Sequence, residues 1–108
     1  MATNKDYLEY VRGQLDALDV RFRAMMGEYV VYYRDKVIGG LYDNALAVKD
    51  VPAARALMPE VVPEPPYEGA KGALFVDRVD DQAFLAELFE AMYPELPAPK
   101  PKKARAAK

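Results

Sequence analysis

Val20-Arg21-Phe22-Arg23-Ala24-Met25-Met26-Gly27-Glu28-Tyr29-Val30-Val31-Tyr32-Tyr33-Arg34-Asp35-Lys36-Val37-Ile38-Gly39-Gly40-Leu41-Tyr42-Asp43-Asn44-Ala45-Leu46-Ala47-Val48-Lys49 is the stretch on which the fold turns. Its hydrophobic period is two. Val20, Phe22 and Ala24 alternate with Arg21 and Arg23, as on a strand with one wet face. Residues 28–33 are aromatic and β-branched, a composition that packs well on a pleated surface. Gly27 interrupts the run and is expected at a bend or bulge. Arg34-Asp35 reads as a hairpin turn. Asp43-Asn44 reads as a second one, because both residue types tolerate positive φ. Residues 36–42 and 45–49 are the strands that these turns return. Together, residues 20–49 predict a four-stranded antiparallel meander.

On the N-terminal side, the period lengthens. Tyr7, Leu8, Val11, Leu15 and Leu18 recur at helical spacing, which predicts a helix ending near Asp19. Thr3, with Asp6 three residues on, fits a capping box. On the C-terminal side, Pro52 suits the first turn of a short helix over 53–58. Residues 59–72 hold four prolines and two glycines and read as a loop. Residues 73–76 form a fifth strand. Asp80 or Asp81 caps a last helix with Phe84, Leu85, Leu88 and Met92 on one stripe, stopped by Pro94. The expected fold is α+β, a five-stranded antiparallel meander with helices on one face, in the order α-β-β-β-β-α-β-α.

Composition narrows the chemistry. The chain has 108 residues, enough for one domain, with 52% apolar and 30% charged residues. It has no His, Cys, Trp or Ser, and Thr3 is the only hydroxyl besides eight Tyr. Ser and Cys nucleophiles, an imidazole base and thiol redox chemistry are therefore excluded. Zinc sites of Cys and His have no ligands here. No enzyme and no cofactor are expected. No apolar run is long enough to span a bilayer, and the polar start lacks a signal-peptide core, so a cytoplasmic protein is expected.

Charge is unevenly distributed. Residues 1–97 carry 10 Lys/Arg and 17 Asp/Glu, a net of −7. Residues 98–108 carry Lys100, Lys102, Lys103, Arg105 and Lys108 with no acid, a net of +5. The division predicts a folded 1–97 domain and a disordered Pro/Lys/Ala tail over 98–108. One reading gives these five bases weak, salt-sensitive, sequence-blind contact with nucleic-acid phosphates. The plainer reading is a solvated tail, or one docked on the acidic body of its own chain.

The strands are apolar on both faces, and three short helices cover only one. The other is expected to meet a partner, with a two-fold homodimer as the first expectation. Met25 and Met26 offer an adaptable docking patch, and Tyr29, Tyr32 and Tyr33 an aromatic interface. Arg23, Gly27 and Glu28 sit at the strand bend as a recognition corner, or as a local ion pair around a bulge glycine. Gly39-Gly40 lacks the Lys-Ser/Thr of a phosphate loop and suits a curved strand or a close approach. Asp77, Asp80 and Asp81 match no calcium loop. Glu60, Glu64 and Glu68 read as solvated acids.

The run from Arg23 to Tyr29, then Tyr32-Tyr33-Arg34-Asp35-Lys36-Val37, resembles the signature of the TfoX/Sxy N-terminal domain family. Pro65-Pro66-Tyr67-Glu68-Gly69-Ala70-Lys71-Gly72 is similar to that family's proline-aromatic-glycine loop, and residues 4–11 to its first helix. The likeness covers residues 3–95, with Met26 where the family usually has Phe. It implies an α+β domain that often dimerises and has no catalytic residues. It further implies a regulatory or adaptor role in competence, working beside a transcription factor or RNA polymerase component. Two alternatives stand beside it. One is a small-molecule-binding protein or enzyme using Arg, Glu and Tyr in a sheet-helix cleft. The other is a nucleic-acid accessory protein using the tail.

Overall fold

The computed structural model describes residues 3–97. In chain order they form α1 (Lys5–Gln14), β1 (Val20–Met25), β2 (Glu28–Tyr33), β3 (Lys36–Leu41), β4 (Leu46–Lys49), α2 (Pro52–Leu57), β5 (Ala73–Phe75) and α3 (Gln82–Met92). A short 3-10 turn, Tyr93–Glu95, follows α3. The five strands form one antiparallel sheet in the order β1-β2-β3-β4-β5. The fold class and element order are those expected. Residues 98–108, and with them the expectation of a disordered basic tail, lie outside the described residues. Among the described residues no helix is long and apolar enough to cross a membrane.

The turns set the register. Met26 and Gly27 have φ of 52° and 89°, and Asp43 and Asn44 have 52° and 61°. Two consecutive positive values match the right-handed twist of the flanking strands. Arg34 has φ 59° at the first position of the third turn. Of the bend or bulge expected at Gly27 the structure has the bend, a tight turn, and the bulge of the sheet lies elsewhere. Val31 faces Gly39 while Tyr32 faces Val37, so Ile38 is the extra residue in β3.

Register also sorts the two faces. Phe22, Val31, Gly39, Val48 and Leu74 form one row across all five strands. This row faces the helices. Val31, Ile38, Leu41, Leu46, Val48 and Leu74 are fully buried there against Leu8, Val11, Leu15, Met58, Leu85, Leu88, Phe89 and Met92. Each large apolar side chain taken from water stabilises the fold by about 1.5–3 kcal/mol.

The helix boundaries differ from the sequence reading. α1 stops at Gln14, and Leu15 to Leu18 continue as a non-helical turn that still buries Leu15. Its N-cap is Asn4, whose side chain accepts from Tyr7 N at 2.8 Å. Thr3 does not cap, because its hydroxyl is engaged with the sheet turns. Asp81 caps α3, accepting from Phe84 N at 3.0 Å. α2 has Val51 at its N-cap position and no side-chain cap of its own. Asp50, just before it, instead binds Arg55 through two contacts of 2.5 and 2.7 Å. That guanidinium holds the Asp50 carboxyl below the usual carboxylate range.

Candidate functional site

The sheet row opposite the core consists of Arg23, Val30, Gly40, Ala47 and Phe75. The core residues of the described helices pack against the other row, while Ala47 in this one is still only 1% exposed. Tyr42, just past β3, folds back across Gly40. A Cβ at residue 40 would stand 2.7 Å from the Tyr42 hydroxyl and 2.8 Å from the Tyr29 carbonyl oxygen. The Gly39-Gly40 pair therefore admits a tyrosine ring and a neighbouring strand rather than a helix. Tyr67, from the proline-rich loop, reaches the Tyr42 ring with centroids 5.9 Å apart. Burial, with Tyr67 and Glu28 nearby, pushes the Tyr42 phenol upward in pKa.

Tyr42, Pro66 and Tyr67 form a wall shared by two cavities. The first measures about 940 Å³, with Met25, Met26, Val30 and Phe75 in its lining. Three acids, Glu28, Asp43 and Glu68, border it, and no described Lys or Arg does. The second measures about 590 Å³ and is bordered by Lys49, Lys71, Glu95 and Pro97. Apolar lining with a few polar groups at the rim is the usual make-up of a binding cleft.

A polar junction holds the first cavity's upper edge. The Thr3 hydroxyl, almost fully buried, donates to Glu28 Oε1 at 2.7 Å. The same oxygen of Thr3 accepts from Asn44 N at 3.1 Å. Glu28 also accepts from Asp43 N, at 3.1 and 3.2 Å to its two oxygens. Asn4 N donates to the Asn44 side chain at 2.9 Å, and Thr3 N to Gly27 O at 3.2 Å. The start of the chain thereby ties the β1–β2 turn to the β3–β4 turn. Among the described residues no metal could be held by three or more clustered Asp or Glu groups.

A second cluster lies at the β2–β3 turn. The Tyr33 hydroxyl donates to Glu90 Oε2, and Arg34 reaches the same oxygen at 2.6 Å. Tyr93 donates to Asp35 at 2.5 Å, while Arg34 and Lys36 sit over its ring. Burial, then the Glu90 hydrogen bond, raises the Tyr33 pKa, and donation to Asp35 raises that of Tyr93. Both phenols are pushed away from the phenolate form. This cluster clamps the turn to α3.

No family model matches the chain, and no solved structure matches it. It is 37% identical over 107 residues to the uncharacterized 12.7 kDa protein in the trpE 5' region of Spirochaeta aurantia, spanning 97% of this chain and 93% of that protein. The chain belongs to that protein's family.

In this member of the family, the residues singled out from sequence separate. Met25, Met26 and Glu28 border the first cavity, with Gly27 in the turn between them. Tyr29 borders it as well, while packing partly against the core. Arg23 is exposed in the uncovered row, opposite Val30. It forms no ion pair with Glu28, which is committed to Thr3 and Asp43. Tyr32 lies with the Arg21 guanidinium 4.7 Å from its ring centre. Tyr33 is not a surface residue. It is 2% exposed and packs edge-on against Phe89 and Tyr93, on the helix side. Lys100, Lys102, Lys103, Arg105 and Lys108 lie outside the described residues. Tyr42, Pro66, Tyr67, Glu68 and Phe75 join the site without having been singled out for it. A lone tyrosine in a proline loop was the available signal, and it points nowhere until the loop is folded onto the sheet.

Proposed function

We propose that this chain is a non-catalytic regulatory or adaptor domain, similar in role to the N-terminal domains of TfoX/Sxy-type regulators. It works by protein contact through the uncovered sheet face, beside a transcription factor or RNA polymerase component. Met26 carries the reading. The residue is 96% exposed, and its φ of 52° is a conformation that an unbranched apolar residue adopts at a cost. Neither property helps the fold, and both present a flexible thioether beside the cleft. Met25, 53% exposed, and Tyr67, 61% exposed, extend the same patch. Methionine and tyrosine are the side chains most at home in adaptable interfaces. The reading includes self-association, which light scattering on the purified protein measures.

The test is affinity capture from nuclease-treated lysate with the wild-type chain, Met26→Asn and Tyr67→Ala. Stoichiometric retention of a transcription factor or polymerase subunit by wild type, lost in both variants, supports the proposal. Equal retention by all three removes this face from the mechanism. Retention of no such protein by wild type overturns the adaptor role.

The first cavity's volume favours one other reading, a small-molecule site. At about 940 Å³ it falls within the range of ligand pockets. A metabolite that raises the melting temperature of wild type but not of Tyr67→Ala would establish it.

A further inference from the structure

We propose that the first cavity binds a free organic ammonium ion with an apolar body. Its walls, its rim and its size converge on that class. The walls are aromatic, with Tyr29, Tyr42, Tyr67 and Phe75 all in the lining. Aromatic faces carry negative potential and attract organic cations. The Tyr42 and Tyr67 rings meet at 50° rather than stacking flush, which leaves ring face for a ligand. Tyr42 is already held against Gly40, so it need not be ordered on binding. The rim is acidic. Glu28, Asp43 and Glu68 border the cavity, and among the described residues none of the three carboxylates is in an ion pair. Glu28 is hydrogen-bonded, but its donors, the Thr3 hydroxyl and the Asp43 N–H, are neutral and leave its charge in place. That charge reaches the cavity wall: after burial and Tyr67, Glu28 adds to the upward shift of the Tyr42 phenol. Lys49 and Lys71 border the second cavity instead, and Arg23 stands in the row opposite the core without bordering the first.

Size and lining define the rest of the ligand. Among the described residues the acids do not cluster as a metal ion requires, and about 940 Å³ is far more than a bare ion fills. Met25, Met26 and Val30 add apolar surface, so the body attached to the charge is apolar as well. A lysine offered by a partner protein brings only its flexible alkyl stem and leaves most of this lining unfilled. The occupant that fits is a free arylalkylamine or a similar molecule. This names the ligand class of the small-molecule reading above and rests on that reading, not on the adaptor one.

The experiment titrates the full chain, at neutral pH and low salt, with phenylbutylamine, phenylbutanol and phenylbutyrate. These share one apolar body and carry a positive, no and a negative charge. The methyl signals of the methionines report the site. Met25 and Met26 border the cavity, whereas Met58 and Met92 are fully buried among the helices and report the fold. The amine is expected to shift Met25 and Met26 and to bind about tenfold tighter than the alcohol, with the acid weakest. Asp43→Asn/Glu68→Gln should bring the amine close to the alcohol. Residue 43 has φ 52°, which Asn also adopts, and Glu68 is exposed, so this variant keeps the fold. Tyr67→Leu keeps apolar surface but loses the ring face, and should weaken the amine more than the alcohol. The order of the three ligands on wild type decides the matter even where a variant fails to fold. Equal affinity for amine and alcohol overturns the proposal, as does tighter binding of the acid. A preference for the amine unchanged in both variants overturns it too, and so does the absence of any shift at Met25 and Met26. Tighter binding of a lysine blocked at its backbone amine and carboxyl moves the site to a protein side chain and overturns the free-amine form. A metabolite that raises the melting temperature of wild type but not of Tyr67→Ala, with no preference for the amine, keeps the small-molecule reading and sinks this proposal alone.

Discussion

Glu95 Oε1 accepts the backbone N–H of Ala53 at 2.8 Å, so a residue beyond α3 caps the start of α2. α2 has no cap in its own sequence, and the remote carboxylate supplies one where the helix dipole favours negative charge. Glu95→Ala is expected to lower stability by about 1 kcal/mol. Glu95→Gln should recover part of that, since its amide oxygen still accepts. Urea unfolding of the three proteins checks the order.

The two strand glycines are expected to differ. A Cβ at residue 39 would lie 2.0 Å from the Ala47 carbonyl oxygen and 2.8 Å from the Val48 Cα, both backbone atoms of the paired strand. Nothing there can move without breaking the β3–β4 ladder. Gly39→Ala should therefore exceed the usual overpacking cost of about 1–3 kcal/mol. At residue 40 two of the three nearest atoms belong to the Tyr42 ring, which can swing away. Gly40→Ala should cost less, and adding Tyr42→Ala should relieve part of it. A double-mutant cycle by chemical denaturation reads the coupling.

Met26→Asn should stabilise the protein. Asn accepts positive φ readily and replaces an apolar side chain that is almost wholly in water. The gain is expected at about 1 kcal/mol, from the relieved left-handed strain, and is measured as a shift of the denaturation midpoint. The same change should weaken partner capture. A residue that costs stability while serving contact is the expected pattern at a binding surface.

The pH profile has two limbs. Tyr33 and Tyr93 have folded pKa values above the ordinary phenol value of about 10. Their stabilisation is complete below about pH 10 and is lost as pH rises through the folded values. Asp35 and Asp50 are shifted down, by the Tyr93 hydroxyl and by Arg55 respectively. Their stabilisation is present above about pH 3.9 and lost as pH falls through the folded values. Tyr33→Phe should flatten the alkaline limb and leave the acid limb in place. Thermal unfolding across pH, with tyrosine ionisation followed by absorbance, separates the two.

The meander was legible because residues 20–25 alternate, residues 28–33 are aromatic and β-branched, and Asp43-Asn44 prefers the backbone that a tight turn needs. Asp81 was legible as a cap for a similarly local reason. Thr3 and Asn4 were not separable in this way. Both residue types cap helices, and the choice was made by Glu28 and Asn44, which lie far along the chain. Met26 obscured the first turn, since methionine is no turn former and Gly27 alone left a bend and a bulge equally open. The alternation of Tyr32 and Tyr33 showed that they part company, but the helices decide which side becomes core. The cleft was the least legible feature. Tyr42 and Tyr67 are brought together by a loop crossing the sheet, and no periodicity encodes that contact.

The strand order has a consequence for how the chain is made. β1 to β4 are joined by two-residue turns, and hairpins of this kind close in about 1–10 μs. The meander can therefore form as soon as Lys49 has left the ribosome. The helix that seals its core, α3, ends only at Met92. At a synthesis rate of about 5–20 residues per second, roughly 2–9 s separate the two events. Throughout that interval Val31, Ile38 and Val48 lack α3 as cover. The nascent chain, rather than the finished protein, is the form most in need of protection from aggregation.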